Sequence, residues 1–175
     1  MDRERLAARI REAALLEGDF VLSSGRRSSL YVDKYLFSTD PRLLQDIAAG
    51  LEELLPPGVN RLAGVELGAV PLVVAVALRT GMPYVIVRKE VKGHGTARSL
   101  EGRLERGERV ALIEDVITTG TQAVRAARRL VEAGAEVGGV VAVIDRREDR
   151  GGELEGFPFG ALFRMEDLRA AKPVN

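Results

Sequence analysis

The stretch VALIEDVITTGTQ, residues 110–122, decides how this chain is read. Four apolar residues of the kind that fill a buried strand run straight into two adjacent carboxylates, Glu114 and Asp115. After Val116 and Ile117 comes a loop of Thr118, Thr119, Gly120 and Thr121, and then a helical pattern. Backbone N–H groups at the start of a helix, joined by threonine hydroxyls, form a cradle for one anion such as a phosphate. No GxxxxGK[ST] pattern is present, and the missing lysine argues against a nucleoside triphosphate. The carboxylates make sense beside a phosphate if the same ligand carries a diol, because a carboxylate accepts from two hydroxyls at once. A ribose 5-phosphate has both groups. Adjacent residues of an extended segment face opposite ways, so one acid is expected to hold the diol and the other to act from a second angle or through a metal. The plainer alternative is a strand end with solvated acids and a capped helix.

Outward from this stretch the pattern alternates. Strands are expected over 62–65, 84–87, 110–113 and 139–144, and helices over 71–80 and 122–132. Strands apolar on both faces, alternating with helices, read as an α/β fold with a parallel sheet flanked by helices. Asp40 followed by Pro41 opens a further helix to about residue 55, ended by Pro56-Pro57-Gly58. Leu6, Ile10, Ala13 and Ala14 form the stripe of an N-terminal helix that Gly18 is expected to stop, and the short runs FVL and SLYV around SSGRRS read as a small hairpin. One domain, 1–175, is expected, with a cap built from about 1–38 plus the C-terminal segment.

Composition narrows the ligand. With 26 basic and 26 acidic residues the net charge is zero and no basic block stands out, which argues against nucleic acid as a partner. The absence of cysteine removes disulfides and thiolate metal sites. The charged N-terminus MDRERLAARI does not read as a signal peptide, so a cytoplasmic protein without membrane association is expected.

Parallel sheets bind ligands at the carboxyl ends of their strands, and three more segments lie there. RKEVKGHGTARSLEG, residues 88–102, is a long gap holding Arg88, Lys89, Lys92 and the only histidine, His94; a gap of that length reads as a lid, against the alternative of a solvated basic loop. VELGAVPL brings Gly68, which permits a close backbone approach but equally suits an ordinary turn. IDRRE, residues 144–148, offers Arg146, whose guanidinium fork fits a planar carboxylate, or else a surface ion-pair cluster with Glu148 and Asp149.

The acidic and Thr/Gly-rich pattern of residues 110–122 resembles the diphosphoribosyl-binding motif of the type I phosphoribosyltransferases. VRKEVKGHGTARSLEG, IDRRE and FVLSSGRRSSLYVD look like the orotate phosphoribosyltransferase branch, in order, from about residue 20 to 148. The resemblance implies a small N-terminal hood and Mg2+-dependent transfer of phosphoribosyl from phosphoribosyl diphosphate to orotate, in pyrimidine (UMP) biosynthesis. It implies a homodimer with shared active sites. It makes Lys92, His94 and Asp115 catalytic. Arg88, Lys89, Lys92 and His94 then contact diphosphate, Glu114 and Asp115 the ribose, and Thr118, Thr119, Gly120 and Thr121 the 5-phosphate. Arg146 takes the orotate carboxylate, while Tyr31 and Val32 line the base. No dedicated protein metal cage is implied, the Mg2+ being held mainly by substrate and water. The chain departs from the family at Gly68 and Ser23, where relatives carry lysine, and Lys34 is a candidate to compensate for Ser23. Two other readings stay open: a sister enzyme acting on adenine or another base, and a regulator that senses phosphoribosyl diphosphate.

Overall fold

A seven-stranded sheet, in spatial order β5-β4-β3-β6-β7-β9-β8, organises the protein, and a separate two-stranded hairpin, β1-β2, stands beside it. The structure is a computed structural model and describes residues 2–21, 25, 27–89, 99–148 and 151–173. The central strands are β3 (Arg61–Val65), β4 (Tyr84–Val87), β6 (Arg109–Ile117), β7 (Glu136–Asp145) and β9 (Phe157–Arg164). They pair in parallel, while the two-residue edge strands β5 (Leu100–Glu101) and β8 (Glu153–Leu154) pair antiparallel. The sheet is therefore mixed, with a parallel centre as expected.

Two-sided burial follows from the strand period of two. In β6, Ala111 and Ile113 join the core beneath α3 (Pro41–Glu53) and α4 (Val70–Thr80), whereas Val110 and Leu112 join the core beneath α5 (Thr121–Glu132). On the α3 side, Leu43, Ile47 and Leu51 meet Leu72, Val73 and Val76, and α1 (Arg3–Ala14) and α6 (Met165–Ala170) close the same core. Asp40 caps α3 as anticipated, its carboxylate accepting from the N–H groups of Arg42 and Leu43.

Three boundaries differ from the sequence reading. The first helix ends at Ala14, not at Gly18, because the chain passes directly into β1 (Leu15–Val21), which pairs with β2 (Arg27–Val32) through a bulge between Glu17 and Phe20. Strand β6 continues to Ile117, four residues past the apolar run, so both acids lie inside the strand. The strand over 139–144 is not the last of the sheet: β7 starts at Glu136, and β9 adds a parallel neighbour drawn from the segment assigned to the cap. Of that segment, α6 packs on α1, and Arg3 of α1 lies over the Phe163 ring of β9.

The cap also contains α2 (Lys34–Ser38). Asp33 caps it by accepting from the Tyr35 N–H at 3.1 Å, and fully buried Phe37 anchors it. No helix among the described residues is long and apolar enough to cross a membrane.

Candidate active site

At the carboxyl end of β6 the strand carries Glu114 and Asp115 into the interior, only 7% and 4% exposed. An ionised carboxylate survives such burial when it is paired and hydrogen-bonded. Asp115 is both: Oδ1 accepts from the Val116 N–H at 2.6 Å, and Oδ2 lies 2.7 Å from Nζ of Lys34. Gly68, in the turn between β3 and α4, comes so close that a Cβ there would sit 1.6 Å from Asp115 Oδ2. Position 68 therefore excludes any side chain while Asp115 holds this rotamer.

Glu114 behaves differently. Burial, reinforced by the adjacent Asp115 charge, pushes its carboxyl up to about 8, although Lys34 and Lys89 pull the other way. Burial thus favours its protonated form well above the ordinary carboxyl range. For Lys34, burial acts downward, but the hydrogen bond and charge of Asp115, with smaller contributions from Tyr35 and Glu114, outweigh it, and the ammonium is raised.

After β6 the chain bends through residues 118–120 and enters α5 at Thr121. Gly120, the N-cap residue, sits at φ 83, where L residues are strained, and a Cβ there would meet Leu154 Cδ2 at 2.6 Å. Gly120 has no side chain to cap this helix, and the Thr121 N–H donates to Thr119 Oγ1 at 3.4 Å. The Thr119 and Thr121 hydroxyls lie 3.0 Å apart at the same end. Together with Gly68, Lys34, Lys89 and the two acids, residues 118–120 line a cleft of about 100 Å³. A larger cavity of about 740 Å³ lies between α1 and α6, away from every strand end that carries these groups.

The neighbouring strand β7 ends at Asp145, followed by Arg146 and Arg147. The twin arginines have separate tasks. Arg147 makes a two-pronged pair with buried Asp145, at 3.1 and 3.2 Å, and lies over the Phe159 ring. Arg146 is half-buried, and among the described residues no carboxylate pairs with it. Burial and the Arg169 charge depress its pKa, while Tyr31 acts in the opposite direction. Tyr31 is 41% exposed and its ring lies 5.4 Å from that of Phe20. Val32 faces the opposite way and is buried in the core, so the structure brings Tyr31 and not the Val32 side chain toward Arg146.

At the base of the expected lid, Arg88 is ion-paired with Glu101 at 3.1 Å and faces Glu66 at 3.8 Å. Its side chain lies outside the cleft lining, which Lys89 joins. Lys92, His94 and Ser23 lie outside the described residues. Sequence reasoning missed two supports here. Glu66 accepts from the Lys89 N–H at 2.7 Å, and Arg129 of α5 donates to the carbonyls of Arg88 and Lys89. Glu66 directly follows β3, the position where strand-end logic looks first; Arg129 carries no such signal. Among the described residues, no cluster of three or more histidine or acidic side chains gathers as a metal site.

Comparison with known proteins agrees with this geometry. Residues 43–158 match the phosphoribosyl transferase domain. Orotate phosphoribosyltransferases of Methanocella arvoryzae and Pyrococcus furiosus are 43% and 42% identical, over 99% and 100% of this chain and 100% and 99% of their own. A Mycobacterium tuberculosis orotate phosphoribosyltransferase, solved in complex with 5-phospho-alpha-D-ribosyl 1-diphosphate, superposes with a TM-score of 0.80 at 30% identity, covering 97% of this chain and 99% of that one. The chain belongs to the phosphoribosyltransferase family. It is a pentosyltransferase, with the type I fold of that family.

Glu114 generates a pH prediction. Its carboxyl is raised in the folded protein above its unfolded value near 4.5, so the folded state retains a proton that the unfolded chain releases. Stability is then greatest below that value and falls as pH rises toward about 8. In metal-free buffer, Glu114→Gln should remove this fall, so its denaturation midpoint should gain on wild type between roughly pH 5 and 8. A constant gap between the two proteins over that range would show that Glu114 is not protonated in the fold.

Proposed function

We propose that the protein transfers the 5-phosphoribosyl group from phosphoribosyl diphosphate to N1 of orotate, giving orotidine 5′-monophosphate and diphosphate. The bond from ribose C1 to the diphosphate oxygen breaks, the bond from C1 to orotate N1 forms, and N1 loses its proton. One arrangement carries this reading. The acid-bearing end of β6 leads into a helix whose N-cap glycine has no side chain, while β7 is followed by Arg146, which has no carboxylate partner among the described residues. A ribose phosphate fits the first element and a base bearing a carboxylate fits the second.

In this reading Asp115 accepts from the ribose hydroxyls and the 118–121 loop holds the 5-phosphate. Lys89, with Lys92 and His94 of the lid, faces the diphosphate, where charge develops as the leaving group departs. Arg146 grips the orotate carboxylate, and the Tyr31 ring flanks the base. Mg2+ suits the donor set, since Glu114 and Asp115 offer only hard oxygens and can hold a hydrated ion against substrate oxygens. When bound, it supplies charge neutralisation for the diphosphate. Pyrimidine (UMP) biosynthesis in the cytoplasm is the setting we infer, with a homodimer as the working form.

The direct test supplies phosphoribosyl diphosphate, Mg2+ and a panel of bases, and reads diphosphate release. Release with orotate and not with adenine or uracil is expected. In the same assay, Arg146→Ala should raise the orotate KM by roughly 30-fold or more, the loss of a charge-assisted pair worth about 2 to 4 kcal/mol, with little change for phosphoribosyl diphosphate. Release with adenine alone, or an unchanged orotate KM, would overturn the assignment.

The shared-site homodimer has its own test. Lys92→Ala and Asp115→Asn proteins, each expected to be nearly inactive, are unfolded together and refolded, and heterodimers are confirmed by mass spectrometry. If the lid serves the partner's site, half of the dimers hold one intact site and activity returns to about a quarter of wild type. Mixtures as inactive as either parent would mean that the lid serves its own subunit.

A further inference from the structure

The cleft that would receive a diphosphate is poor in positive charge. Its described lining holds three acids, Glu66, Glu114 and Asp115, against two cations, Lys34 and Lys89. Lys89 belongs to the lid base, whereas Lys34 comes from the cap, on the first residue of α2. A cation there opposes the helix dipole, so α2 itself gains nothing from a lysine at this point. What Lys34 gains lies across the cleft. Its ammonium is 2.7 Å from Asp115 Oδ2 and would lie 3.0 Å from a Cβ on Gly68. The space that any side chain at position 68 would enter is thus already filled by the Lys34 ammonium and the carboxylate it holds.

We propose that Lys34 is a positioning residue for the ribosyl diphosphate: it fixes the Asp115 carboxylate for the ribose hydroxyls and delivers from the cap the cation that a glycine at position 68 cannot. The identity of the ligand rests on the function proposed above. Three observations make the lysine suited to the task. Its side chain is 30% exposed, wet enough to meet a ligand and buried enough to keep its electrostatic strength. Its backbone is fixed, because Asp33 caps α2, the Asp33 N–H donates to the Ala14 carbonyl at 2.9 Å, and Phe37 is fully buried. The Asp115 carboxylate and the Lys34 ammonium meet directly over Gly68, both within 3.0 Å of where a Cβ there would stand. Substrate binding is thereby linked to the seating of the cap on the sheet.

The experiment is calorimetric titration of wild type, Lys34→Met and Lys34→Arg with phosphoribosyl diphosphate and Mg2+, without any base, followed by steady-state kinetics with orotate. Lys34→Met should weaken phosphoribosyl diphosphate binding by about tenfold or more, raising its KM while the orotate KM moves less. Lys34→Arg, which keeps the charge, should recover most of the affinity. In an Asp115→Asn background the Lys34→Met effect should shrink, because the two side chains act as a pair. Affinity of Lys34→Met within about twofold of wild type would overturn the proposal, as would a fall in melting temperature with both KM values rising equally, the mark of a cap staple. Should Lys34→Met fail to fold, Lys34→Gln replaces it under the same thresholds. The base-free titration separates this outcome from the assignment of orotate: a wild type that binds phosphoribosyl diphosphate but transfers it to another base leaves the Lys34 result standing.

Discussion

Keeping two carboxylates inside the end of a central parallel strand is the constraint around which the rest is arranged. A strand between two others has no free edge to water, so acids placed on it need partners supplied by other elements. Asp115 is met by the Val116 N–H, by Lys34 from the cap and by the bare backbone of Gly68. For Glu114 the influence of Lys34 and Lys89 does not offset burial and the adjacent Asp115 charge, so its carboxyl is raised.

From that strand end the other parts take their places. The strand order sets β6 between β3 and β7, so the Gly68 turn, the 118–121 loop and Arg146 emerge side by side at one rim of the sheet. The start of α5 and the acids sit a few residues apart on one continuous stretch, which fixes their separation through backbone geometry alone. Arg147 and Asp145 anchor the end of β7 beside Arg146. Glu66 and Arg129 do the same for the lid base, so that the strand and α5 both hold the peptide groups of residues 88 and 89.

Much of this was legible in the sequence, for identifiable reasons. Strands β3, β4, β6 and β7 carry dense apolar runs, and the acidic and Thr/Gly pattern after β6 marks the site by local chemistry. The end of β6 was placed too early because hydropathy falls at Glu114, although the strand pairing with β7 continues to Ile117. FPFGALFR contains proline and glycine and so does not read as a sheet strand, yet β9 pairs with β7 in parallel. The resemblance assigns both Tyr31 and Val32 to the base, and strand alternation turns the Val32 side chain into the core. The Lys34–Asp115 pair joins residues far apart in sequence, and nothing local in YVDKY announces that its lysine faces a carboxylate in β6. Lys34 stands out in the sequence only as a candidate to compensate for Ser23, which lies outside the described residues; the structure sets it beside Asp115 and Gly68.

The central claim is that one cleft, at the end of β6, holds a ribose phosphate with its phosphate on the helix and its hydroxyls on Asp115. A crystal structure with ribose 5-phosphate tests it most directly. The account predicts phosphate oxygens within about 3 Å of the backbone N–H groups of residues 118–121 and ribose hydroxyls within the same distance of Asp115, with Lys34 still beside that carboxylate. A sugar lying in the cavity between α1 and α6, or a phosphate bound at Arg146 with Asp115 untouched, would contradict it.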